Sequence, residues 1–264
     1  MVRRAHAVGG SGLGGRLSAG MDQSARGWWR RAYVRRIVGI LAIALVGVTG
    51  CAELDLPDGA IGAPGGPAAT GTAPAATVPA ASVARARAEL ARLTVAGPRE
   101  GGYQRTRDFG PAWSVDVDRN GCGTRDDILR RDLEQVRLRG RCTVIAGVLA
   151  DPYTGRSVTF TKSHATAVQI DHVVPLGAAW ARGARDWPQS ERERFANDPL
   201  NLLATSAEAN QSKSDRGPAE WLPRAAFRCA YAVQWIGVST RYKLAVTPPD
   251  KASLTTVLAR CQPG

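Results

Sequence analysis

Asp171 and His172 adjoin at the end of the apolar run Ala167-Val168-Gln169-Ile170, and Val173-Val174-Pro175-Leu176 follows them. A carboxylate is the hard oxygen donor that Mg²⁺ and similar ions take. An imidazole titrates near neutrality and can accept a proton from water. Side by side, the two suit metal-assisted hydrolysis of a phosphodiester. Taken alone, the pair reads more simply as a capping Asp beside a solvated His. The chain has three histidines: His6 near its start, His164 and His172.

The case for chemistry lies downstream. Asn197-Asp198-Pro199-Leu200-Asn201-Leu202-Leu203-Ala204 contains a short apolar strand interrupted by one amide. A helix predicted to begin near Ser206 then carries Asn210 and Lys213, three apart and so on one face. The order strand, strand, helix would converge an acid, a base, an amide and a cation. Neighbouring side chains of a strand point to opposite faces. At a strand end this relaxes, and both Asp171 and His172 are expected to reach one cleft.

These residues need a frame, and the chain supplies one. Arg141 to Leu149 reads as a strand, Asp151-Pro152-Tyr153-Thr154-Gly155 as a turn and Ser157 to Phe160 as a returning strand, a hairpin. Helical patterns are predicted over 82–94, 127–133, around Glu191-Arg192-Glu193-Arg194, over 224–238 and over 254–261. Between His172 and Asn201 lies a long insertion with Trp180 and Trp187. It reads as a packed helical cap, with substrate contact as the sharper alternative. Arg216, Arg224, Arg228 and Arg241 could lie along a phosphate, though a solvated surface explains most such arginines.

The net charge of +12 is misleading as a sign of nucleic-acid binding. Residues 1–51 hold eight Arg against one Asp, so residues 52–264 carry only +5 of it. That first stretch reads as an export leader: basic residues, the short apolar run Ile37 to Val48, then Val48-Thr49-Gly50-Cys51. The tetrapeptide resembles a lipobox, which would tether the protein to a membrane by a lipid on Cys51. Ordinary signal cleavage and an uncleaved anchor are the alternatives. Residues 52–84 are rich in Pro, Ala and Gly and read as a linker. The domain is expected over 85–264.

Four cysteines remain beyond the leader: Cys122, Cys142, Cys229 and Cys261. None forms a C-x-x-C pair, which argues against a zinc knuckle. An even count in an exported chain points to two disulfides. Of the three connectivities we favour the local one, Cys122–Cys142 and Cys229–Cys261. Asp116-Val117-Asp118-Arg119-Asn120-Gly121 has the opening spacing of a calcium loop. Asp127 stands where a bidentate Glu is usual, and Arg119 and Arg125 put positive charge inside. A polar turn capping the next helix explains the same residues.

The stretch from Tyr103 to Cys261 resembles the HNH nucleases of the His-Me finger, or ββα-metal, group. Within it the likeness is to exported actinobacterial proteins related to the C-terminal nuclease domain of GmrSD-type restriction enzymes. It rests on Asn120-Gly121-Cys122, Asp126-Asp127-Ile128-Leu129, Asp151-Pro152-Tyr153-Thr154-Gly155, Val168-Gln169-Ile170-Asp171-His172-Val173-Val174, Phe195-Ala196-Asn197-Asp198-Pro199-Leu200-Asn201-Leu202 and Ala219-Glu220-Trp221-Leu222-Pro223. The resemblance implies an α+β fold: a ββα-metal core with an added hairpin and helices, stitched by disulfides. It implies His172 as general base, Asp171 and Asn210 as metal ligands and Asn201 as the residue that holds the His-bearing loop. Lys213 would touch a phosphate. It also implies one divalent ion, Mg²⁺ before Mn²⁺, and nucleic acid as substrate, DNA before RNA. No NTPase motif or recognition domain accompanies these residues, so sequence-specific restriction is not implied. The rival reading is a cell-surface binding or structural module on an inactive scaffold; a secreted antibacterial toxin is a third.

Overall fold

The computed structural model describes residues 77–113 and 116–261. The leader, Cys51 and the linker up to residue 76 lie outside them. Helix α1 (Ala80–Arg92) opens the described chain and buries Val83, Ala86 and Leu90, three and four apart, while its arginines stay on the other faces. It packs against α7 (Arg228–Arg241), the longest helix among the described residues, which buries Tyr231, Ala232, Trp235, Ile236 and Val238. Helix α8 (Pro248–Ala259) starts on the Thr247 side chain, which accepts from the Asp250 N–H. Two prolines fill its first turn, where missing N–H groups cost nothing. After α1 the chain pairs Val95 with Val246 in an isolated parallel bridge. With the short helices α2 (Arg105–Phe109), α4 (Leu176–Ala181) and α5 (Gln189–Ala196), these elements surround one apolar core.

A second core lies under two small sheets. Strands β1 (Leu133–Arg139), β2 (Thr143–Ala150) and β3 (Ser157–Thr161) form an antiparallel sheet in that order. The hairpin β2–β3 matches expectation. Strand β1 does not, because the helical pattern was read through Leu133. Helix α3 (Thr124–Asp132) ends one residue earlier and the chain turns straight into the strand. Only Leu133 of β1 is buried, so the strand shows no buried alternation. Its pairing with β2 is also irregular between Glu134 and Leu138, with Gln135 in the left-handed region at φ 51°.

Strands β4 (Val168–His172) and β5 (Leu202–Ser206) pair antiparallel, and α6 (Ala207–Lys213) follows directly. Ser206 caps α6 by accepting from the Ala209 N–H. Val168, Ile170, Leu202 and Ala204 face the second core, while Leu203 packs toward the first. The β4–β5 pair therefore divides the two cores. The chain is an α+β fold closed by two disulfides, Cys122–Cys142 and Cys229–Cys261, the local pairing favoured from sequence. Loops of these lengths contribute about 3 kcal/mol each in the chain-entropy treatment.

Candidate active site

The register of β4 on β5 decides where the two central side chains go. Asp171 pairs with Leu203 and His172 with Leu202, so the ladder runs intact to the last residue of β4. Directly opposed residues of antiparallel strands share a face. His172 therefore lies with Leu202 on the second-core face. Asp171 lies with Leu203 on the face that meets α6. The expected relaxation at the strand end does not occur, and the side chains of Asp171 and His172 stand on opposite sides of the strand.

On the α6 side, Asp171 is 5% exposed and accepts from two side-chain donors. The Lys213 ammonium donates to Oδ1 at 3.0 Å and lies 3.0 Å from Oδ2. The Tyr153 hydroxyl donates to Oδ2 at 2.7 Å. Lys213 is fully buried, and it also donates to the His172 carbonyl at 2.8 Å. Burial pushes the Asp171 carboxyl up and the Lys213 ammonium down, and the attraction between them opposes both shifts. Burial and the Asp171 charge together keep the Tyr153 phenol protonated, hence a donor. The sequence reading sent Lys213 to a phosphate; its placement instead commits the ammonium to Asp171 and the backbone of β4. Asn210, one turn before Lys213 on α6, donates from Nδ2 to the Gln169 side chain at 2.7 Å.

On the other face, the His172 Nε2 lies 2.8 Å from the Ala196 carbonyl at the end of α5. A carbonyl only accepts, so Nε2 carries the hydrogen and Nδ1 keeps the lone pair. His172 is 8% exposed, and the Trp113 indole stacks parallel to it, with centroids 5.9 Å apart and 6° between planes. Burial lowers the imidazole pKa to about 3; the Ala196 hydrogen bond opposes this, while the charges of Arg105 and Lys213 add to it.

Asn201 is fully buried just ahead of β5. Its Oδ1 accepts from the Val174 N–H at 2.8 Å and its Nδ2 donates to the Val174 carbonyl at 3.1 Å. The Asn201 carbonyl accepts from the Val173 N–H at 2.8 Å. The amide thus copies a strand partner where β4 runs out and holds the segment just after His172.

Several neighbours of this site were not singled out from sequence: Trp113, Tyr153, the Ala196 carbonyl and Gln169. Tyr153 belongs to the turn between β2 and β3, read as a reversal and as part of the family likeness but given no role of its own. That turn is built around Asp151, fully buried, which accepts from Tyr153 N, Thr154 Oγ1 and Thr205 Oγ1. An acid followed by Pro-Tyr-Thr-Gly is a turn signal; nothing in it announces a tyrosine aimed at another strand. The insertion packs as a cap: Trp187 sits against Phe195 and Tyr242, and Trp180 against the guanidinium groups of Arg185 and Arg192. Arg241 pairs with Asp198 at 3.3 Å and Arg228 donates to the Pro223 carbonyl at 3.0 Å. Asp116, Asp118 and Asp127 gather around the Asn120 amide groups, the arrangement of a polar turn. Among the described residues, no group of three or more His, Cys, Asp or Glu is placed to hold a metal ion.

Comparison with known proteins agrees with the frame. The family described as GmrSD restriction endonucleases, C-terminal domain, matches residues 123–257, just over half of the chain. A protein of Arthroderma benhamiae named "Uncharacterized secreted protein" is 40% identical over 178 residues, which cover 65% of this chain and 82% of that one. This relative comes from a fungus, whereas the sequence likeness pointed to actinobacterial proteins. No solved structure matches the chain. On the family match and on a relative covered over most of its length, this chain belongs to the family of GmrSD restriction endonuclease C-terminal domains.

Proposed function

We propose that the protein is a metal-dependent endonuclease that hydrolyses nucleic-acid phosphodiester bonds, DNA before RNA, with His172 as general base. The observation that carries this is the fixed tautomer of His172. Its Nε2–H is committed to the Ala196 carbonyl, which leaves the Nδ1 lone pair to take a proton from an attacking water. Asn201 supports the reading by holding the segment after His172 at both backbone groups of Val174. Family membership supports a nuclease-related role. Export is supported by the two disulfides and by the secreted relative.

The donor chemistry on the α6 side fits one hard ion. Asp171 offers a carboxylate, and Asn210 offers an amide oxygen once its Nδ2 is spent on Gln169. Mg²⁺ takes one or two protein carboxylates and fills its remaining positions with water and phosphate oxygens. Bound there, the ion would offset the charge that develops on the phosphate and leaving oxygen. Lys213 and Tyr153 would then share Asp171 with it, so their part is to position and neutralise the carboxylate.

Plasmid DNA incubated with the purified protein in Mg²⁺ is expected to be cut. His172→Ala is expected to abolish cutting while the circular dichroism spectrum stays native. Undiminished cleavage by that variant would refute the assignment of the base. A second reading, a surface-binding module on a non-catalytic scaffold, is favoured by the closure of Asp171 under Lys213 and Tyr153. Absence of cleavage of DNA and RNA in Mg²⁺, Mn²⁺, Zn²⁺ and Ca²⁺ would decide for it.

A further inference from the structure

The segment from Arg105 to Trp113 precedes the stretch matched by the family and borders the His172 face of β4. It is pinned there from inside. Phe109 is 1% exposed and sets its ring against Phe195 and Trp180. Arg192 of α5 donates to the Asp108 carbonyl at 2.6 Å. Helix α2 packs on both α4, which begins four residues after His172, and α5, whose last residue receives the His172 N–H. The segment is therefore held against α4, α5 and, through Trp113, the His172 imidazole.

Trp113, at one end, packs against the edge of the second core and leaves part of its indole exposed, and Arg105, at the other, is exposed. Trp113 holds its backbone in the left-handed region at φ 62°. A bulky residue there is an outlier that costs about 1–2 kcal/mol, and such outliers gather where function over-determines the geometry. Its indole is only partly buried and lies parallel to the imidazole. At the other end, Arg105 is exposed and, among the described residues, takes part in no ion pair, whereas its neighbour Arg107 is paired with Asp108. The Arg105 charge is felt at both His172 and Tyr103. The cation favoured from sequence, Lys213, is sealed inside on the far face of β4, its ammonium engaged by Asp171 and the His172 carbonyl.

We propose that Arg105 and Trp113 form the substrate wall of the His172 site, Arg105 receiving a backbone phosphate and the Trp113 indole stacking on the adjacent base of a single-stranded nucleic acid. This rests on the nuclease reading above and adds the strand type and the residues that hold it. A duplex keeps its base faces stacked on one another, so an indole gains from stacking only where a base is unpaired. A guanidinium matches phosphate geometry and stays charged at any working pH.

The test measures binding apart from cleavage. Fluorescence anisotropy of a labelled single-stranded oligonucleotide is titrated with the full-length, disulfide-bonded protein in EDTA, with a duplex of the same sequence alongside. Trp113→Ala is expected to weaken single-strand binding by about 5- to 150-fold, the range for one lost base–aromatic stack. Trp113→Phe should restore most of the affinity. Arg105→Gln, at an exposed position, should reduce the slope of log affinity on log salt by about 0.7, one phosphate contact on a single strand. A packing role for either residue would not move that slope. Binding as tight as the parent's in both Trp113→Phe and Arg105→Gln, with Trp113→Ala also unchanged, overturns the proposal even where plasmid cleavage is intact. Equal affinity for duplex and single strand overturns it too, as does a parent protein that binds neither. Loss of plasmid cutting in His172→Ala with single-strand binding retained would leave the wall standing and speak to the base alone.

Discussion

Lys213→Met isolates the electrostatic problem at the centre of the fold. The substitution keeps an unbranched chain in a fully buried position but removes the ammonium that donates to Asp171 and to the His172 carbonyl. Asp171 would keep the Tyr153 hydroxyl and lose its counter-charge. Leaving one partner of a buried ion pair uncompensated costs about 3–5 kcal/mol. A ceiling comes from the alternative open to the protein, which is to protonate Asp171. From an ordinary carboxyl pKa of 3.8, holding the acid neutral at pH 7 costs about 4 kcal/mol. The expected loss at pH 7 is therefore about 3–4 kcal/mol. For a domain of this size that lowers Tm by about 6–16 °C.

The pH dependence gives the prediction its signature. In the variant, the folded pKa of Asp171 stands above its unfolded value. The folded state then binds the extra proton, and stability falls as pH rises through the interval between the two values. At pH 5 the protonation cost is only about 2 kcal/mol, so the variant should recover roughly half of its deficit relative to the parent. Urea unfolding followed by tryptophan fluorescence at pH 5 and pH 7, with the disulfides intact, reads both quantities. The double variant Asp171→Asn/Lys213→Met should be more stable at pH 7 than Lys213→Met alone, because no charge is left buried. A Lys213→Met protein within about 2 °C of the parent at pH 7, or one whose deficit is flat in pH, would show that Asp171 and Lys213 are not the coupled pair described.

Two further outcomes follow from the other face of β4. His172, with its pKa lowered from 6.5 to about 3, stays neutral in the fold while the unfolded chain takes up a proton, so its contribution is full above pH 6.5 and declines toward pH 3. About 2 kcal/mol should be gone by pH 5, and His172→Phe should lack this part of the slope when its urea midpoints at pH 5 and pH 7 are compared with the parent's. Asn201→Ala leaves both backbone groups of Val174 without their buried partner and should cost at least about 2 kcal/mol; Asn201→Asp, which keeps the acceptor but faces the Val174 carbonyl with a carboxylate, should do no better in the same unfolding assay.

What could be read from sequence was local. The β2–β3 turn, the start of α6 near Ser206 and both disulfide pairs sit within short spans of chain, where turn chemistry and periodicity speak, whereas α8 begins at Pro248, ahead of the helical pattern over 254–261. Strand β1 was missed because an edge strand with one buried residue leaves no alternation to see. The site divides in the same way. Asp171, His172, Asn201, Asn210 and Lys213 were singled out because they fall in one stretch with helix and strand spacing. Trp113, Tyr153 and Ala196 are brought in by tertiary packing from three separate segments. Two directions differ from expectation: Lys213 turns inward to Asp171 rather than out to a phosphate, and Asp171 and His172 do not share a cleft, because the ladder does not end before His172. Its pairing with Leu202 keeps it in register, and period two then sends the imidazole to the second core.

That separation of faces bears on how the fold can hold a site at all. Asp151 ties the β2–β3 turn to Thr205 of β5, and the turn's Tyr153 reaches across to Asp171 of β4. Lys213 of α6 closes the same carboxylate and the His172 carbonyl. Asn201 fixes what comes next. Each of these groups is buried and charged or polar, and such networks contribute less to stability than apolar packing of equal volume would. What they provide is a single geometry, since any slip leaves a buried group unpaired. The backbone between Asp171 and Val174 is thus held from three elements at once. A base on one face of β4 and a carboxylate on the other can then act on one phosphate only from beyond the strand's end. Asn201 is spent holding that end, and Trp113 stacks on the imidazole's side of it.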